Sequence, residues 1–214
     1  GDPVSTQYVE NFAKNLNLQS AGKDIEIREY QTEAVRHTIN NGRVLLLSPT
    51  ASGKSLIIYN LIRYHQRLDR KQLIVVPTTS LVEQMYGDFQ DYSSSDSWIV
   101  SENCHRIYGG KEKNADYPVT ISTWQSIYKF PKTWFENFDV VYGDEAHNFK
   151  AKSLTTILDK CVNAPYRIGT TGTLDGAKTH KLVLEGIFGT VKKVITTKKL
   201  MENDAIANLD ITCL

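Results

Sequence analysis

The sequence predicts an α/β fold: a doubly wound, mostly parallel sheet with helices on both faces. Three observations carry this. From Arg28 onward strand-like and helix-like segments alternate. The strand-like segments are continuous Val/Ile/Leu runs rather than apolar/polar alternations, as expected of parallel strands buried on both faces. The helical segments between them carry apolar residues at three- and four-residue spacing.

In chain order, residues 8 to 16 place Val9, Phe12, Ala13 and Leu16 on one helical face, and QSAGKD then breaks the pattern. Residues 1–24 therefore read as a short helix and linker, the tail of a preceding domain, and residues 25–214 as one α/β domain. Its elements are helix REYQTEAVRHTINN, strand RVLLLS, helix KSLIIYNLIRYHQR, strand QLIVVP and helix SLVEQMYGDF. Strand PVTIS, helical WQSIYKF, strand FDVVYGDE, helix SLTTILDKC, strand YRIGTT, helix THKLVLEGIF and strand VKKVITT follow. The chain begins with Gly1 and stops in LDITCL, an apolar alternation that reads as a strand in progress, so an excised fragment is expected. SSSDS (93–97) and GGKEKNADY (109–117) are loops by composition.

Composition narrows the function classes. With 214 residues, 41% apolar and 23% charged, the chain is long enough for a substantial core and ordinary in composition. A net charge of +1 means that any nucleic-acid surface must be local. Cys104, Cys161 and Cys213 are odd in number and far apart, which argues against a disulfide framework or zinc-ligand spacing. No apolar run reaches the ~18 residues of a membrane span, so an intracellular, soluble protein without a membrane partner is expected.

Two stretches carry the chemistry. SPTASGKS (48–55) links a buried strand to an apolar helix, the place where backbone amides and a helix dipole favour anions. Gly53, Lys54 and Ser55 supply the last turn, a cation for phosphates and a hydroxyl for magnesium in the order G-K-[ST]. Ser48 and Ala51 stand where glycines are usual. A Cβ at Ala51 is acceptable with negative φ, so an ordinary backbone is expected there. The second stretch, NFDVVYGDEAHNF (137–149), is a buried strand ending in Asp144 and Glu145. Neighbouring side chains at a strand end diverge, so one can hold magnesium while the other orients an attacking water. G-K-[ST] alone is common by chance, whereas D-E-A-H arises on the order of once in a thousand chains. Together they point to ATP hydrolysis.

GDEAH with SPTASGKS before it resembles motifs II and I of superfamily 2 helicases and translocases, and further blocks fall in that family's order. REYQ, with Arg28 and Gln31, resembles the adenine-recognising element; a glutamine amide can pair with adenine N6 and N7 at once. VVPTTSLVEQ (75–84), YGG (108–110), ISTWQSI (121–127) and GTTGTL (169–174) resemble the blocks that touch nucleic acid or couple it to the nucleotide. The resemblance covers residues 25 to 200 and is nearest to the branch of recombination helicases that remodel branched DNA, such as R-loops and four-way junctions. It implies a RecA-like fold with ATP and Mg2+ as cofactors. It places Thr50, Ala51, Ser52, Gly53, Lys54 and Ser55 around the phosphates, Ser55 and Asp144 on magnesium, and Glu145 on the attacking water. His147, Thr171 and Thr173 would couple the nucleotide to a nucleic-acid track formed by Pro77, Thr78, Thr79, Gly109, Gly110, Thr123 and Gln125.

Blander readings stand beside these. His147 could only anchor the strand end, the short hydroxyls could be caps or turns, and Trp98, Trp124 and Trp134 are better assigned to packing than to base stacking. Lys192, Lys193, Lys198 and Lys199 form a basic concentration that is either a solvated face or a DNA contact. In such motors a second RecA-like domain supplies an arginine finger in a Q-x-x-G-R block, which this sequence lacks. That domain is thus an expected partner, and the chain alone is expected to bind ATP weakly and turn it over poorly. Alternatives are the motor half of a restriction-modification translocase, an RNA helicase, a small-molecule kinase, or a nucleotide-responsive binding module.

Overall fold

The computed structural model describes residues 2–49, 51–109, 113–114, 116–175 and 178–212; side chains of 178–180 and 206–212 are outside the description. Helix α1 (Thr6–Lys14) is capped by Ser5, whose hydroxyl accepts from the Tyr8 amide at 3.0 Å. Strands β1 (Gln19–Ser20) and β2 (Lys23–Asp24) pair antiparallel, so the stretch expected to be linker is a small hairpin. The N-terminal segment is pinned to α2 (Glu29–Asn41), because the Asn40 side chain bonds both the amide and the carbonyl of Val4, at 2.8 and 3.0 Å.

The core elements are β3 (Arg43–Leu47), α3 (Lys54–Arg67), β4 (Gln72–Val76), α4 (Thr79–Tyr92), α5 (Val100–Asn103), β5 (Cys104–Ile107), β6 (Val119–Thr123), α6 (Trp124–Ile127) and α7 (Lys132–Phe135). They continue with β7 (Val140–Gly143), a 3-10 turn at Ala146–Asn148, α8 (Ala151–Lys160), β8 (Tyr166–Thr171), α9 (Lys178–Ile187), β9 (Val191–Lys193) and α10 (Thr197–Thr212). Seven strands form one sheet in the order β5-β6-β4-β7-β8-β3-β9, and every neighbouring pair in it is parallel.

Strand side chains divide between two cores. Val44, Leu46, Ile74, Val76, Val140 and Tyr142 face the layer of α1 to α4, while Leu45, Leu73, Val75 and Val141 face the layer containing α7, α8 and α9. That division is why these strands read as unbroken apolar runs. Helix α3 is buried nearly all round, and even His65 is 1% exposed, its pKa pushed down to about 3 by burial and by Arg70.

Four local expectations fail. Strand β5 was missed: as an edge strand its middle residues His105 and Arg106 are only partly buried, and CHRI lacks the apolar signature. Strand β9 stops at Lys193, and the ITT that should have extended it instead starts α10, where the Thr196 hydroxyl accepts from the Lys199 amide at 3.1 Å. Residues Leu209 to Thr212, expected as a strand in progress, therefore belong to a helix. WQSIYKF divides into α6 and, beyond Pro131, α7. Among the described residues, no helix is long and apolar enough to cross a membrane.

Candidate nucleotide site and adjoining nucleic-acid face

The parallel register brings the expected motifs to one edge. Strands β3, β7 and β8 end together, with Gly143 opposite Gly169 and Leu47 opposite Thr171. Asp144 thus emerges beside Thr170, whose hydroxyl donates to Asp144 Oδ1 at 2.7 Å. A cleft of about 490 Å³ opens there, and Ser48, Ala51, Gly53, Lys54, Ser55, Asp144, Glu145, His147 and Thr173 all line it. Such crevices at the carboxyl ends of strands are where ligands of open α/β sheets bind.

Lys54 starts α3, and its ammonium lies 2.9 Å from Asp144 Oδ1 and against Glu145 Oε1. Burial opposes its charge, but the two carboxylates outweigh burial and raise the lysine pKa. Glu145 occupies the left-handed region at φ 52, an uncommon backbone for a glutamate that turns the chain into the 3-10 segment. His147 faces both ways: Nε2 is 3.4 Å from Glu145 Oε2, and Nδ1 is 2.7 Å from Thr171 Oγ1. Thr171 Oγ1 also donates its single hydrogen to the Thr173 carbonyl at 2.7 Å, so His147 Nδ1–H is the donor to Thr171.

Ala51 departs from expectation, with φ 70 rather than a negative value. The Ser52 amide bonds the Pro49 carbonyl at 3.1 Å, closing a turn whose third residue is Ala51. That position can require positive φ and then favours glycine, so the turn, not the side chain, sets the backbone. A left-handed alanine costs about 1–2 kcal/mol, against roughly 0.5–1 kcal/mol for the extra chain freedom of glycine. Ala51→Gly is therefore expected to leave thermal stability unchanged or raised. A loss above about 1 kcal/mol in urea titration would contradict a left-handed Ala51.

Gln31 is 3% exposed, accepts from the Arg28 amide at 2.9 Å and donates to the Ser52 carbonyl at 3.0 Å. Each end of the amide meets backbone, so the side chain braces the loop that holds Ser52 and Gly53. A Cβ on Gly53 would lie 2.0 Å from Gln31 Nε2, so glycine at 53 is required by this brace as well as by its φ of 76. The Arg28 side chain is exposed, with Asp204 3.9 Å away.

Of the expected nucleic-acid track, Pro77, Thr78, Thr79, Gly109, Thr123 and Gln125 line one depression of about 310 Å³. Thr78 caps α4, accepting from the Leu81 amide at 3.3 Å, and Gln125 Nε2 donates to the Pro77 carbonyl at 3.3 Å. Thr50 and Gly110 lie outside the described residues. Sequence reasoning missed the α4 wall of the nucleotide cleft, formed by Leu81, Gln84, Met85 and Asp88, and the contact of Tyr92 OH with Ser55 Oγ at 2.6 Å. The spacing of 81, 85, 88 and 92 on one helical face was the available signal.

The magnesium expectation was tested on the donor set. Ser55 and Asp144 offer hard oxygens to the cleft, and among the described residues no cluster of three His, Cys, Asp or Glu could hold a metal unaided. Magnesium commonly binds through one or two protein oxygens together with substrate phosphates, so this set fits.

Fold and site together define a RecA-like domain of superfamily 2, with a phosphate loop and a D-E-A-H motif on neighbouring strand ends. The chain belongs to the family described as "Type III restriction enzyme, res subunit", which it matches over residues 24–176. It is 35% identical over 218 residues to the ATP-dependent DNA helicase uvsW of Enterobacteria phage T4, across 100% of this chain and 43% of that protein. It is 27% identical to the DNA 3'-5' translocase XPB2 of Sulfurisphaera tokodaii, across 77% of this chain and 34% of the relative. The crystal structure of the bacteriophage T4 UvsW helicase superposes with a TM-score of 0.80 at 34% identity, covering 90% of this chain and 68% of that one. The chain thus spans less than half the length of these two relatives.

Proposed function

We propose that this chain is the first motor domain of an ATP-dependent DNA helicase or translocase that remodels branched DNA. The convergence of Lys54, Asp144 and Glu145 in one cleft carries the reading. Lys54 binds the outer phosphates, and Ser55 and Asp144 would hold magnesium, which when bound supplies charge neutralisation at the transferring phosphate. Glu145 orients and deprotonates the attacking water. His147 and Thr171 connect that carboxylate to β8, and the depression around Thr78 grips a phosphate backbone through amides and hydroxyls without reading sequence. A second RecA-like domain would close the cleft and supply an arginine finger.

Similarity across the whole chain to a protein described as a DNA helicase supports this reading. The family's description favours a second one, the motor of a restriction translocase. ATPase of the intact protein, titrated with single-stranded, duplex and four-way-junction DNA and with RNA at two salt concentrations, tests both. Strongest stimulation by junctions is expected, with a salt slope that reports the phosphates engaged. Stimulation by duplex alone favours the restriction motor, and stimulation by RNA alone overturns both.

A further inference from the structure

Of the basic concentration noted in the sequence, Lys192 is taken up by Glu33 at 3.5 Å. A second group of cations gathers around Phe130. The Lys113 ammonium lies 4.8 Å from the centre of the Phe130 ring, and the Lys160 ammonium donates to the carbonyls of Phe130 and Tyr128 at 2.9 and 3.0 Å. Lys129 and Lys132 flank the same phenylalanine in the chain. Lys113, Lys129 and Lys132 are exposed, and among the described residues no carboxylate pairs with them, whereas Lys54, Lys71, Lys181 and Lys192 each have one. Their base is well anchored. Phe130 and Trp134 pack on the core that contains Phe135 and Phe138, and Trp134 Nε1 donates to the Lys113 carbonyl at 3.0 Å.

This group adjoins the depression around Thr78 and Thr123. Helix α6 starts directly after Thr123, and its turns continue through Tyr128 (φ -49, ψ -40) to Phe130, whose amide bonds the Ile127 carbonyl at 2.9 Å. Gln125, which lines the depression, and Lys129 are therefore both exposed and one helical turn apart. Gly109 lines the same depression four positions before Lys113. None of the residues lining that depression is charged, so it can grip a phosphate only through amides and neutral side chains. We propose that Lys113, Lys129 and Lys132 form a second segment of the nucleic-acid track, taking phosphates of a single strand as it leaves the depression. The inference rests on the nucleic-acid reading above and deepens it. Lysine ammonium groups bind phosphate as point charges and read no sequence, which suits a motor that must travel along its track.

The test is fluorescence anisotropy of this chain with labelled oligo-dT of about 20 nucleotides, longer than the depression alone can cover, across a NaCl series. Each phosphate neutralised on a single strand adds about 0.7 to the salt slope, so Lys113→Gln/Lys129→Gln/Lys132→Gln should lower the slope by about 2. Over an about fourfold rise in NaCl, wild type is then expected to lose about 20-fold more affinity than the triple variant. Arginine at the same three positions should keep the wild-type slope, because charge rather than packing on Phe130 carries the contact. Lys14→Gln/Lys23→Gln, which removes two positive charges on α1 and β2, should leave the slope unchanged. Equal slopes for wild type and the glutamine variant overturn the proposal, as does a lowered slope in the arginine variant or in the α1 and β2 control. Wild type that binds no oligo-dT even at the lowest salt overturns the nucleic-acid reading itself, a result distinct from these.

Discussion

Lys54→Ala is expected to lower nucleotide affinity by about 10- to 100-fold, the worth of a charge-assisted contact to phosphate. In the intact protein it should bring DNA-stimulated ATPase to background. The structure adds a second effect. Lys54 is the cation between Asp144 and Glu145, and Asp144 has a side chain only 3% exposed. Removing the lysine leaves buried negative charge uncompensated, so the variant should also unfold earlier at neutral pH. Glu145→Gln separates the two roles. It removes one carboxylate that competes for Lys54 while keeping the hydrogen-bonding shape, so nucleotide binding should be equal or tighter. Hydrolysis should fall by about 10²- to 10⁴-fold, the range for loss of a general base. Wild-type turnover by Glu145→Gln would remove that residue from the reaction; unchanged nucleotide affinity in Lys54→Ala would remove the lysine from the phosphates.

Phe188→Ala is expected to cost about 3–5 kcal/mol, a large share of a typical domain's stability. Phe188 is fully buried just beyond α9, and its ring fills the space left by two glycines. A Cβ on Gly143 would approach the ring to 2.5 Å, and one on Gly169 to 2.4 Å. These glycines are register partners on β7 and β8, immediately before Asp144 and Thr170. Losing the ring therefore opens a cavity directly under the strand ends that hold the acidic pair. Urea unfolding of wild type and variant measures the loss, and a difference below about 1 kcal/mol would mean that the glycine pocket collapses around a smaller side chain.

The sheet was legible because its central strands are buried on both faces and cannot avoid apolar residues: RVLLL and QLIVV admit few other assignments. The edge strand CHRI escaped for the converse reason, and α10 escaped because the capping hydroxyl of Thr196 outweighs the β-branched character of ITT. The meeting of Lys54, Asp144 and Glu145 in one cleft was legible, because chemistry restricts residue type there. What geometry decides was illegible: nothing in TASGK reports that a turn closes from Pro49 to Ser52 and drives Ala51 to positive φ. Nor does REYQ report that Gln31 spends both ends of its amide on backbone. Asp88 and Tyr92 lie more than thirty positions from Ser55, and only the packing of α4 across α3 brings them together.

The strand order also bears on how the protein is made. Strand β3, which feeds the phosphate loop, pairs with β8 and β9 alone, and Val44 must wait for Ile168. A ribosome therefore releases the phosphate loop long before either neighbour of its strand exists. Closing so large a loop is entropically slow, and the apolar edges of RVLLL stay open meanwhile to wrong partners. A chain arrested before Tyr166 holds every residue of SPTASGKS and of the D-E-A-H turn, and the strands β5-β6-β4-β7, yet lacks both strands with which β3 pairs. Nucleotide competence should thus arrive abruptly and late in synthesis, and ribosome-bound chains of graded length would show the step.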